Sequence, residues 1–172
     1  MRGDNALPAA APRVVVITGA SRGLGAALAL SYAAPGRVLG LLARQEDRLE
    51  EVAAACRNRG SRVETGVVDV QDHSTIQAWF DAFDTSHPID LLIVNAGVYT
   101  GHGDDGAKES LGEAVWLIRI NLEGAIACAY AVLPGMRARH RPPRPGDVPC
   151  RSPPFARCAV VLGQQGRPGG IR

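Results

Sequence analysis

The first 136 residues alternate between short apolar runs and longer stretches whose apolar residues recur at helical spacing. Four runs are rich in Val, Ile or Leu and are typical of parallel strands, which carry apolar residues on both faces. Between them, stretches such as 46–59 place Leu49, Val52 and Cys56 on one helical face. The predicted strands are 13–18, 37–43, 62–70 and 89–95, and the predicted helices are 24–34, 46–59, 73–84 and 111–136.

This alternation predicts an α/β fold of the Rossmann type, because strands joined by helices form right-handed crossovers and a doubly wound parallel sheet. A dinucleotide-binding domain of this type continues with further strands beside the fourth. No further strand is predicted after Met136. We therefore expect an incomplete sheet of about four strands, with an unpaired edge on the fourth strand and low solubility.

Composition changes abruptly after residue 136. Residues 1–136 have a net charge of −5, whereas residues 137–172 have a net charge of +7 and hold seven of the 12 prolines. A segment with high net charge and few apolar residues cannot bury enough surface to offset its ordering entropy. The sequence thus predicts a flexible N-terminus (1–11), a Rossmann domain (12–136) and a disordered Arg/Pro-rich tail (137–172).

The cysteines and the apolar runs exclude several classes of site. The four cysteines form no CxxC pair, so neither a zinc site nor a disulfide framework is indicated. No run reaches the roughly 18 uninterrupted apolar residues of a membrane span, and the first residues have no signal-peptide pattern. We expect a cytoplasmic protein with no membrane association.

A glycine-rich turn, TGASRGLG, joins the first strand to the first helix. Glycines in this position allow a tight turn and a close approach of the backbone to a pyrophosphate. The unpaired N–H groups at the start of the following helix favour an anion. The turn predicts a nucleotide site formed by Thr18, Gly19, Ser21, Arg22, Gly23, Leu24 and Gly25.

The spacing TGxxxGxG, together with Asn95-Ala96-Gly97 after the fourth strand, resembles the short-chain dehydrogenase/reductase family over residues 12–136. The resemblance implies hydride transfer between a nicotinamide cofactor and a small carbonyl or alcohol substrate. It places Asn95, Ala96 and Gly97 beside the nucleotide, and Asp69 and Val70 at the adenine. It also makes Asn121 a member of the catalytic tetrad, and it allows a homo-oligomer to form through the long helix 111–136.

Charge at the end of the second strand favours NADP over NAD. NAD sites usually end this strand with an acid that binds the ribose hydroxyls, but here the strand is followed by Arg44, and Arg22 lies in the glycine turn. Guanidinium groups bind a 2′-phosphate through charge-assisted hydrogen bonds. The alternative is that Arg44 only pairs with the nearby Glu46 or Asp47.

The remaining catalytic residues of the family do not occur in this chain. The family uses a serine, a tyrosine as general acid/base and a lysine four residues after that tyrosine. The chain has a single lysine, Lys108, and Asp104 precedes it by four residues. Asn121 is therefore the one tetrad member present, and the chain is predicted to be inactive as written.

Three interpretations of the tail stay open. A one-nucleotide shift over residues 161–172 permits Tyr-Ser-Ala-Ser-Lys, which would supply the missing YxxxK, so a frameshifted or truncated reductase is the leading hypothesis. A second is a catalytically dead NADP-binding protein. The third is that the Arg-rich tail binds nucleic acid, which is disfavoured because Phe155 is the tail's one aromatic residue.

Overall fold

The computed structural model describes residues 12–99, residues 110–139 and the backbone of residues 157–160. The described strands form one parallel sheet in the order β3-β2-β1-β4-β5. The order reverses between β1 and β4, as in doubly wound folds, and the predicted Rossmann-type α/β class is confirmed. The strands are β1 (Val14–Thr18), β2 (Val38–Ala43), β3 (Arg62–Val67), β4 (Leu91–Val94) and β5 (Arg157–Val160).

Helices connect the strands and cover both faces of the sheet. The predicted helix 111–136 is a single element running from 111 to 139, interrupted by a π-helical segment, Arg119–Glu123. Pro134 lies inside its last part without ending it. The helices are α1 (Gly23–Tyr32), α2 (Glu46–Asn58), α3 (His73–Ser86), α4 (Leu111–Ile118) and α5 (Gly124–Arg139).

The core has two halves, one on each face of the sheet. Val16 packs in one half with Phe80 and Leu92, beneath α3 and α5. Its neighbours in β1, Val15 and Ile17, pack in the other half, beneath α1 and α2. This alternation with period two is the reason that the parallel strands have continuous apolar sequences.

The fifth strand corrects the expectation of an unpaired fourth strand. β5 pairs with β4 along its whole length, from Leu91 opposite Arg157 to Val94 opposite Val160. The run Cys158-Ala-Val-Val-Leu162 is apolar and contains two valines, as is typical of strands. The four consecutive residues Arg157–Val160 are enough to pair the backbone of β4. Residues 137–139, which were predicted to belong to the tail, are helical and form the end of α5. The predictions for residues 1–11, 140–156 and 161–172 lie outside the described residues.

The long helix also bears on the expectation of no membrane span. By length and composition alone, Leu111–Arg139 is apolar enough to cross a membrane, with a mean hydropathy of 1.4. Buried helices of globular domains share this property, and α5 packs six of its residues into the interior, including Cys128, Val132 and Met136. The length and hydropathy of this helix are therefore shared by membrane helices and core helices.

Candidate nucleotide-binding site

A cleft of about 340 Å³ opens at the carboxyl ends of β1, β2 and β4. It lies where the strand order reverses, which is the position at which open α/β sheets bind ligands. Four segments that the sequence separates widely meet there. The cleft is lined by Thr18, Gly19, Ser21, Arg22, Leu42, Ala43, Arg44, Gln45, Val68, Asp69, Val70, Ile76, Ala96, Gly97, Val98, Ile120 and Cys128.

The glycine turn requires a residue without a side chain at two positions. Gly19 has a φ of +67°, and a Cβ there would lie 2.8 Å from Cα of Ala96. A Cβ on Gly25 would collide with the Gly19 carbonyl oxygen. The turn can therefore pack against the segment after β4 only because both residues are glycines.

Helix α1 starts beside the cleft and has no side-chain cap. Its N-cap residue, Arg22, makes no capping hydrogen bond through its side chain. The first N–H groups of a helix have no partner within the helix, and they carry the positive end of its dipole. This arrangement suits a phosphate group of a ligand.

The side chain of Asn95 holds the glycine turn in place through hydrogen bonds. Its side-chain amide donates to the carbonyl oxygens of Thr18 and Gly19, both at 3.2 Å, and the residue is only 3% exposed. The Thr18 hydroxyl accepts hydrogen bonds from the backbone N–H groups of Asn95 and Ala96, at 3.1 and 3.0 Å. These bonds join the ends of β1 and β4 and fix the relative positions of two segments that line the cleft.

After β2, Arg44 lines the cleft and faces Asp69. The Arg44 guanidinium (Nη1) lies 3.8 Å from a carboxylate oxygen (Oδ2) of Asp69. The alternative partners considered for Arg44, Glu46 and Asp47, form no ion pair with it among the described residues. The arginine that the sequence predicted to bind the cofactor is thus at the cleft, beside the acid that was predicted to contact the adenine.

Asn121 lies in the π-helical segment and contacts the loop that follows β4. Its side-chain oxygen accepts from the Val98 N–H and its amide donates to the Val98 carbonyl oxygen, both at 2.8 Å. Isolated π-helical turns are frequent at functional sites. Through this pair of bonds, Asn121 positions the backbone that carries Ala96, Gly97 and Val98 along the cleft.

The structure divides the predicted site residues into two groups. Thr18, Gly19, Ser21, Arg22, Arg44, Asp69, Val70, Ala96 and Gly97 line the cleft. The others are not among its lining residues, although Gly25, Asn95 and Asn121 contact segments that line it: Gly23, Leu24, Gly25, Asn95 and Asn121. Lys108 lies outside the described residues.

Sequence reasoning missed the apolar floor of the cleft. Ile76 from α3, Ile120 from the π-helical segment and Cys128 from α5 line it. Burial raises the pKa of the Cys128 thiol to about 12, so the group stays protonated at neutral pH. It contributes an apolar surface and not a nucleophile. One signal was available for Ile120, which directly precedes the predicted tetrad residue Asn121.

Comparison with known proteins agrees with this geometry. The family model for short chain dehydrogenases matches residues 13–142. A 3-dehydrosphinganine reductase of Arabidopsis thaliana is 38% identical over 128 residues, which are 74% of this chain and 37% of the reductase.

Two solved structures share the fold. L-sorbose reductase from Gluconobacter frateurii, complexed with NADPH and L-sorbose, has a TM-score of 0.64 and 33% identity, covering 77% of this chain and 50% of that one. Carveol dehydrogenase from Mycobacterium avium, in complex with NAD, has a TM-score of 0.67 and 25% identity, covering 75% and 51%. The chain spans about half, or less, of the length of these relatives. Since the family match extends over most of its residues, the chain belongs to the short-chain dehydrogenase/reductase family.

Proposed function

We propose that this chain is the nucleotide-binding half of an oxidoreductase that transfers hydride between NADP(H) and a small carbonyl or alcohol substrate. The observation that carries the proposal is the cleft at the switch point of the sheet, which is lined by the glycine turn after β1 and by Arg44 after β2. The turn and the uncapped start of α1 would hold the pyrophosphate. The nicotinamide supplies the hydride chemistry when the cofactor is bound.

The preference for NADP rests on Arg44 and Arg22. Both line the cleft, and Ala43 and Arg44 stand where an NAD site usually has an acid. Relatives of this chain have been solved with NADPH and with NAD, so membership of the family does not decide the cofactor. The guanidinium of Arg44 is the group that would bind a 2′-phosphate, through charge-assisted hydrogen bonds.

Calorimetric titration of the full chain with NADPH and NADH tests this proposal. We expect saturable binding of both, with NADPH tighter by about tenfold or more, as one charge-assisted contact provides. Arg44→Gln should abolish this difference. Arg48→Gln, which removes the same charge from an exposed position one turn further along α2, should preserve it. Absence of saturable binding by the wild-type chain would overturn the proposal.

For catalysis, we propose that this polypeptide binds the nucleotide without turnover and that its coding sequence shifts frame after Met136. Two observations support this. The family match ends at residue 142, close to the point where the Arg/Pro-rich composition begins. Asn121 is the one tetrad residue that the sequence contains, and a carbonyl reduction needs a proton donor within hydrogen-bond reach of the oxygen.

Nucleotide sequencing from the codon of Arg137 onward tests the frameshift. An open shifted frame encoding serine, tyrosine and lysine at the family's spacing would support it, and the frame-restored protein should then oxidise NADPH in the presence of a carbonyl substrate. If the written frame stands, residues 1–172 bind the nucleotide and do not supply the serine, tyrosine and lysine of the family. Turnover by the chain as written would contradict both interpretations.

We further propose that the chain self-associates through the exposed side of its long helix. Leu111, Val115, Ile118, Leu122 and Ile126 recur every three or four residues along this side and remain exposed. Such a stripe is typical of a helix that packs against a partner. The oligomeric state of a charged variant tests this and is considered in the Discussion.

A further inference from the structure

The ion pair between Arg44 and Asp69 has a specific geometry at the mouth of the cleft. One carboxylate oxygen of Asp69, Oδ1, accepts the N–H of Gln71 at 3.0 Å. The backbone carbonyl of Asp69 accepts the N–H of Asp72 at 2.9 Å. The turn therefore fixes the carboxylate, and its second oxygen faces the guanidinium.

The separation of 3.8 Å is too long for a hydrogen bond, so this pair is held by charge alone. The side chain of Arg44 is 53% exposed and that of Asp69 is 39% exposed. The guanidinium consequently keeps its N–H donors available to a ligand while a negative charge stands next to it. An anion that reached Arg44 would also come within the screening length of Asp69, about 8 Å at physiological salt.

We propose that Asp69 is a specificity-determining residue that acts through Arg44 and weakens the preference of the cleft for a nucleotide carrying a 2′-phosphate. This inference rests on the proposed function. A phosphate bound by Arg44 must share the guanidinium with the Asp69 carboxylate, whereas a ribose with a free 2′-hydroxyl does not compete with the carboxylate for the charge of the guanidinium. Asp69 therefore lowers the affinity for NADP(H) relative to NAD(H).

The test is the ratio of two dissociation constants, Kd for NADH over Kd for NADPH, measured by calorimetry on the full chain. Any contact that Asp69 makes with the part common to both ligands cancels in this ratio. Asp69→Asn removes the charge and keeps an oxygen that can accept from Gln71. We expect the ratio to rise about two- to fivefold, the range for an exposed ion pair, and to rise less in high salt.

Asp47→Asn is the matched control. It removes a carboxylate from the exposed first turn of α2, three positions from Arg44, where no ion pair with Arg44 is found among the described residues. The ratio should stay at its wild-type value in this variant. A rise equal to that of Asp69→Asn would mean that net charge, and not the pair, sets the preference, and would overturn the inference.

A double-mutant cycle separates the action through Arg44 from direct repulsion of the phosphate by Asp69. In an Arg44→Gln background, Asp69→Asn should leave the ratio unchanged. An equal rise in both backgrounds would overturn the route through Arg44.

An unchanged ratio in Asp69→Asn alone would overturn the inference and leave NADP binding intact, whereas a wild-type chain that binds neither nucleotide would refute the proposed function itself. If Asp69→Asn does not unfold cooperatively, Asp69→Ser takes its place, because its hydroxyl can accept from Gln71.

Discussion

At the scale of single residues, Gly25 sets the shape of the phosphate-binding turn. In Gly25→Ala, the new methyl group would meet the Gly19 carbonyl oxygen and approach the Asn95 amide to 2.6 Å. The turn has to move away from the segment after β4, and overpacking of this kind costs about 1–3 kcal/mol. We expect NADPH to bind about tenfold more weakly and the thermal midpoint to fall, which titration and thermal unfolding would measure.

Gly36→Ala is the control for this substitution. Gly36 lies between α1 and β2 and does not line the cleft. It has a φ of +78°, so an alanine there strains the backbone by about 1–2 kcal/mol, but a Cβ would meet no atom within 4 Å. Its thermal midpoint should fall while its affinity for NADPH changes little. Equal losses of affinity in the two variants would contradict the role assigned to the contact between Gly25 and Gly19.

Asn95 gives a second prediction at this scale. Asn95→Ala removes both donors to the carbonyl oxygens of Thr18 and Gly19. Leaving such buried acceptors unpaired lowers the free energy of unfolding by about 1–3 kcal/mol, measured by urea denaturation. Asn58→Ala, at the exposed end of α2, should change it by less than about 0.5 kcal/mol. A similar loss in both variants would show that Asn95 does not brace the turn.

Local sequence identified most of the site residues that lie in turns, and it missed the apolar residues that α3 and α5 contribute to the cleft. Gly19, Arg44 and Asp69 each follow a strand, and the carboxyl ends of parallel strands meet at one edge of a sheet. Ile76 and Cys128 reach the cleft from α3 and α5. Helical periodicity predicts that such residues are buried, but it does not predict which part of the sheet they face.

At the scale of elements, β1, β2 and β4 could be predicted because each is an apolar run that is buried along nearly its whole length. β3 could be predicted from its valines, although Arg62 and Val67 at its ends are exposed. β5 was missed because it follows a proline-rich stretch and has no helical pattern after it to mark it as part of a βαβ unit. The π-helical segment was missed because no local residue pattern distinguishes it from the α-helix on either side.

The start of α3 predicts a pH dependence of stability. Asp72 caps this helix. The Ser74 hydroxyl donates to one oxygen of its carboxylate at 2.6 Å, and the Thr75 hydroxyl donates to the other at 2.7 Å. These bonds hold the pKa of Asp72 well below its ordinary value of 3.8. Because the pKa is lower in the folded state, the carboxylate stabilises the fold above the ordinary pKa, and this contribution is lost as the pH falls toward the folded-state pKa.

Asp72→Asn keeps a residue that caps helices well and removes the titration. We expect the wild-type chain to have the higher thermal midpoint at neutral pH and the difference to shrink as the pH falls from about 5 to about 3. Thermal unfolding followed by circular dichroism at several pH values measures this. A difference that stays constant over that range would contradict the charge-assisted cap.

At the scale of the whole molecule, the described part of the chain leaves one side of the long helix uncovered. α5 buries Val132 and Met136, whereas Ile126 in α5 and Leu122 in the π-helical segment are 49% and 55% exposed. A stripe of this kind lowers solubility unless a partner covers it. Low solubility stays a prediction, and because β5 pairs with β4, this stripe and not the strand edge is the feature that would cause it.

The last prediction follows from that stripe. If a second copy covers it, the wild-type chain should sediment at twice its monomer mass of 18.1 kDa at high concentration, and Leu122→Lys should sediment at the monomer mass, because a buried lysine without a partner opposes association. Asn58→Lys adds the same charge to the exposed end of α2 and should leave the wild-type mass unchanged. A wild-type chain that stays monomeric, or a Leu122→Lys variant that still associates, would show that the long helix is not the interface. NADPH binding should be the same in both lysine variants, since neither position lines the cleft.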